Sequence, residues 1–64
     1  MNDAEKIIKH IDGLVENLNW LYKEYKREEK KNIKAGLCKA LRGCAFGLTQ
    51  DFNELVKCED EVAE

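Results

Sequence analysis

The side chains of this 64-residue chain best able to do chemistry are three cysteines, Cys38, Cys44 and Cys58, and its single histidine, His10. Thiolates and an imidazole can close a tetrahedral zinc site, and a thiol beside a base can act as a nucleophile. Either use requires the groups to converge, and their spacing opposes it. No CxxC or HxxxH pair is present. On a continuous helix Cys38 and Cys44 lie about 9 Å apart along the axis and point about 120° apart, while Cys44 and Cys58 share a face about 21 Å apart. A disulfide needs Cα atoms within about 7 Å, so no pair within the chain qualifies. Cys44 and Cys58 are therefore expected to act as small core residues and Cys38 as a flanking one, with no metal and no cofactor.

Catalytic groups are equally dispersed. His10 falls between Lys9 and Ile11 on the polar side of a helical pattern, without a nucleophile at a helical neighbour position. It is expected to be solvated rather than to serve as a base. The carboxylates are scattered, and the glycines interrupt a helical pattern instead of following a strand, which excludes a phosphate loop. A non-enzyme is predicted.

The elements that must carry these residues are helices. Ala4, Ile7, Ile11, Leu14, Leu18, Leu21 and Tyr25 advance by threes and fours, and Ile8, Val15 and Tyr22 widen the stripe at heptad intervals. A stripe this broad suits a helix with more than one neighbour. Continuing the register reaches Glu28, Asn32, Ala35 and Lys39, which cannot form a core. The pattern restarts in a new phase with Ile33, Leu37, Leu41, Cys44, Leu48, Phe52, Leu55 and Val62. One domain over residues 1–64 is predicted: an all-α hairpin with a helix over about 3–28, a charged elbow over about 28–32 and a helix over about 33–62. Asn32 is placed to cap the second helix. Alternatively, Gly47 ends that helix and Thr49 caps a short third one from about residue 50.

Within "GLCKALRGCAFG" (36–47), Gly36, Ala40, Gly43 and Gly47 fall on one helical line beside the large apolar residues. Each interior glycine costs about 1 kcal/mol relative to alanine. The line is expected to admit a closely packed helix. So short a chain buries only about 60% of its unfolded surface when it folds alone. Its two broad stripes predict self-association as a homodimer, forming a four-helix bundle, or as a higher oligomer.

Composition points the same way: 44% hydrophobic, 38% charged and no proline. No apolar run reaches the roughly 18 residues of a membrane span, and the start lacks the basic-then-apolar order of a signal peptide. With an odd cysteine count, a cytoplasmic protein with no membrane contact is expected.

The net charge of −2 is unevenly spread. Residues 1–22 carry −2, residues 23–42 carry +5 and residues 43–64 carry −5. Two aromatic residues fall off the apolar stripes: Trp20 beside Lys23 and Arg27, and Phe46 beside Lys39 and Arg42. Tryptophan and arginine are enriched at binding hot spots, so these six residues form the predicted partner-binding site. The leading expectation is a small helical regulator or inhibitor that binds a protein partner. A second is a nucleic-acid binder using Lys26, Arg27, Lys30, Lys31 and Lys34. Such a hairpin resembles in shape the Rop-type RNA-binding hairpin, also small and dimeric, although no motif of that family is matched. Glu24, Glu28 and Glu29 interleave with those cations, a spacing that also suits ion pairs along the helix. A third expectation is an oligomer that sequesters an anionic nucleotide where basic residues of several subunits meet.

Overall fold

The computed structural model describes residues 3–63, and the side chains of residues 3–60. Two helices, α1 (Asp3–Arg27) and α2 (Lys31–Ala63), are joined by an elbow at residues 28–30 and pack antiparallel. The hairpin measures 51 × 16 × 13 Å, and its radius of gyration is 15.0 Å. A compact chain of this length would reach about 11 Å. It is a rod two helices thick.

The helix ends differ in their electrostatics. The first turn of α1 carries Asp3 and Glu5, and its last turn carries Lys26 and Arg27, each sign complementing the helix dipole. The first turn of α2 has no acid and its last turn no base, so α2 receives no such support. At the elbow Glu28 supplies a substitute. Its Oε1 accepts the backbone N–H of Glu29 (3.2 Å) and of Lys30 (3.1 Å).

The elbow is tighter than the sequence suggests. The N–H of Lys34 donates to the carbonyl of Lys30 at 2.9 Å, so α2 starts at Lys31 and Asn32 sits inside its first turn. Asn32 therefore does not occupy the cap position expected of it. Among the described residues no third helix forms: α2 passes through Gly36, Gly43 and Gly47 without a positive φ. Thr49 is an interior residue whose hydroxyl donates to the Ala45 carbonyl at 3.0 Å.

Three cross-helix contacts set the register. His10 meets Asp51, a Cβ on Gly47 would lie 3.3 Å from Leu14 Cδ1, and Asn17 Nδ2 donates to Cys44 Sγ at 3.6 Å. Steps forward along α1 are matched by equal steps back along α2. Among the described residues only Ile11 and Cys44 are buried, each 8% exposed. Ile7, Leu14, Leu18, Leu21 and Tyr25 face Leu37, Leu41, Leu48, Leu55 and Cys58 in a half-buried seam.

The predicted stripe of α2 needs two corrections. Phe52 and Ile33 are exposed, while Asp51 and Lys34 are turned inward. Three residues beyond Leu48, rather than four, the helix again faces α1, and His10 engages the carboxylate found there. At the elbow Lys34 lies with its Nζ 4.6 Å from the Tyr25 ring centroid, leaving Ile33 outside. Val62, assigned to the same stripe, lies outside the described side chains.

Candidate interaction surfaces

Side chains that stand about 180° from a buried neighbour point directly away from the other helix. Trp20 is nine residues from Ile11 and Phe46 is two from Cys44, each a rotation of about 180–200°. The two rings accordingly leave the hairpin in opposite directions, Trp20 58% and Phe46 65% exposed. They occur at neighbouring levels of the rod but do not share a surface. Each has its own cations instead. Lys23 and Arg27 follow Trp20 by three and seven residues, and Arg42 and Lys39 precede Phe46 by four and seven. Those spacings keep each set on one helical edge. The six residues singled out in the sequence thus form two edges, one per helix, each an exposed aromatic ring with two basic residues on its elbow side. Lys39 and Arg42, with Ala35 and Cys38, line a shallow hollow of about 260 Å³ on α2.

The small-residue line divides. Leu14 packs on the bare backbone of Gly47, whereas a Cβ on Gly36 or Gly43 would meet nothing within 4 Å, and Ala40 is exposed. Within the hairpin only Gly47 serves close approach.

The elbow cations are less tied up than the sequence implies. Glu24, Glu28 and Glu29 form no ion pair with them; Glu28 is engaged by backbone N–H groups. Among the described residues the ion pairs are His10–Asp51 and Lys57–Glu54, the latter at 3.5 Å. Lys26 Nζ lies 4.8 Å from the Tyr22 ring centroid, and Lys34 covers Tyr25. Lys23, Arg27, Lys30 and Lys31 extend into solvent.

The contact between His10 Nδ1 and Asp51 was not legible in the sequence. The imidazole is largely exposed, yet it reaches across to a carboxylate 41 residues away. The only signal for it is an acid at an inward position of α2. The thiols do not converge: Cys38 is exposed, Cys44 buried and Cys58 half-buried, and no disulfide links them. Among the described residues no three His, Cys, Asp or Glu side chains are placed to hold a metal ion. No described helix is long and apolar enough to cross a membrane. The chain matches no family model, no curated protein and no solved structure.

Proposed function

We propose that this chain is a non-enzymatic helical interaction protein of the cytoplasm, a regulator or inhibitor that acts by binding a protein partner, with a body formed by two hairpins in a four-helix bundle. The observation that carries the reading is the pair of outward edges. An indole or phenyl ring turned away from the helix its own helix packs against contributes little to folding. Covered by a partner, each would bury an apolar ring flanked by cations that can stack on it or reach its polar rim.

The test uses Trp20 as its own reporter. The free protein should emit red-shifted tryptophan fluorescence that acrylamide quenches readily. Trp20→Ala and Phe46→Ala should retain helicity and mass while losing a partner that the native chain co-purifies from its host. Blue, protected emission from the free protein would remove Trp20 from the site.

One observation favours a second reading: of the cations at and beside the elbow, Arg27, Lys30 and Lys31 extend into solvent without carboxylate partners among the described residues. A phosphate polymer bound there would lose affinity steeply with salt, with a slope of about −0.7 to −0.9 per neutralised phosphate. Protein binding through the aromatic edges would show a much smaller salt dependence.

A further inference from the structure

The His10–Asp51 and Asn17–Cys44 contacts mark one side of the rod. Relative to the inward seam, Ile8, Val15 and Tyr22 are rotated in the opposite sense on α1, by about 50–90°. Ala45, Phe52 and Val56 are rotated toward that same second side on α2. The rod therefore has one apolar face built from both helices. Ile8, Val15 and Tyr22 are 40–51% exposed, and Phe52 and Val56 are exposed as well. Gly36 and Gly43 lie on the other side. The rod leaves surface to spare for an occupant of this face: the whole chain exposes 5317 Å². A compact monomer of its 7.4 kDa exposes about 4,200 Å². The excess of about 1,100 Å² exceeds the roughly 800 Å² per partner of a standard interface.

Charge identifies that occupant. The half of the rod at the open end, residues 1–15 and 47–64, carries nine acids against three bases; the elbow half, residues 16–46, carries eight bases against four acids. The hairpin is thus −6 at one end and +4 at the other. A second copy laid on the same face with its elbow at the same end would set cations against cations. Reversed, it sets Lys26, Arg27, Lys31 and Lys34 beside the acids of the open end, among them Asp3, Glu5, Glu59 and Asp60. The acidic end of α2, which its own dipole disfavours, gains cations in this way.

We infer that the face carrying Ile8, Val15, Tyr22, Phe52 and Val56 is the seat of a second copy of this chain, bound antiparallel so that each elbow covers the other's open end. This inference rests on the self-association proposed above and adds the face and the orientation. The two-fold axis crosses the rod near Val15. The 8–15–22 heptad steps are symmetric about that residue, so Val15 meets its own counterpart and Ile8 lies level with the second copy's Tyr22. Both aromatic edges, Trp20 and Phe46, stay outside the interface.

Sedimentation equilibrium at micromolar concentration, combined with thiol cross-linking, tests each layer separately. The native chain should sediment as a dimer that weakens as salt is raised. Val15→Asp, checked for helicity by circular dichroism, should raise the dimer dissociation constant by about tenfold or more, since it sets two carboxylates together in an apolar seam. Trp20→Asp should leave it unchanged. Val15→Cys in a Cys38→Ser, Cys58→Ser background should oxidise to a covalent dimer, which also decides the matter if Val15→Asp loses helicity. A monomeric native chain would overturn the self-association itself and assign the apolar face to a different protein. A dimer indifferent to Val15→Asp would retain self-association and overturn the face. A dimer that Val15→Asp breaks but Val15→Cys does not cross-link would overturn the orientation.

Discussion

Replacing exposed helical glycines by alanine tests how the two sides of the rod are used. Gly13, Gly36 and Gly43 each occupy a helix interior where an added Cβ meets nothing within 4 Å. Alanine there gains about 0.8–1.0 kcal/mol, because the unfolded chain loses conformational freedom and the helix loses nothing. For a domain of this size that corresponds to about 4–8 °C in melting temperature per substitution. Gly36 and Gly43 are about 10 Å apart along α2, so their effects should add; with Gly13 the total reaches about 3 kcal/mol. Gly47 is the internal control. Its Cβ would stand 3.3 Å from Leu14 Cδ1 and 3.8 Å from Cδ2. Leu14 must yield by a few tenths of an ångström, and Gly47→Ala should gain distinctly less than the other three. The assay is thermal unfolding by circular dichroism at one fixed protein concentration, since a dimer's midpoint moves with concentration. Destabilisation by Gly43→Ala or Gly36→Ala would refute the reasoning. It would show a chain packed against the glycine side and move the interface away from the Val15 face.

Other perturbations probe the seam and the edges. Ile11→Ala should cost about 2–4 kcal/mol by chemical denaturation, the largest loss among single alanine substitutions, because Ile11 is one of two buried side chains among the described residues. Cys44→Ala, deleting one buried atom that also accepts from Asn17, should cost about 1 kcal/mol in the same assay. Asp51→Asn, removing the carboxylate that His10 meets, should cost less than about 1 kcal/mol, with the loss shrinking as salt is added, since the imidazole is largely exposed. Trp20→Ala should move the melting temperature of the free protein by no more than a surface substitution does, within about 0.5 kcal/mol.

Periodicity located both helices because an amphipathic stripe is a local property that needs no tertiary information. It placed the break near residues 28–32 for the same reason: no packing could rescue a stripe of Glu28, Asn32, Ala35 and Lys39 as a core. The finer features depended on competition that the pattern does not encode. Asn32 has better intrinsic capping chemistry than Lys30, but the Glu28 carboxylate satisfies the elbow N–H groups and lets α2 begin earlier. Phe52 is a stronger core residue than Asp51 by composition. Position 51 nevertheless faces α1, and His10 supplies the carboxylate with a partner. Trp20 and Phe46 were identifiable as off-stripe residues. Their mutual direction was not, because it depends on which way each helix turns its seam, and that follows only from the cross-helix contacts.

The charge pattern acquires its physical meaning only from the hairpin. Along the sequence it is acidic, basic, acidic, which resembles a basic patch with flanking tails. Folded at residues 28–30, the two acidic segments lie side by side, and the molecule becomes a rod with opposite poles. Such a rod cannot stack on itself in parallel through the Val15 face without crowding cations at one end and carboxylates at the other. Reversal relieves both ends at once, and it does so with surface charges, whose contribution to stability is small but whose sign selects among otherwise similar packings. In the proposed dimer the heptad-spaced Ile8, Val15 and Tyr22 would supply the attraction and the poles the orientation. The aromatic edges would stand outside that arrangement, so that the proposed pairing of hairpins would leave Trp20 and Phe46 available to a different protein.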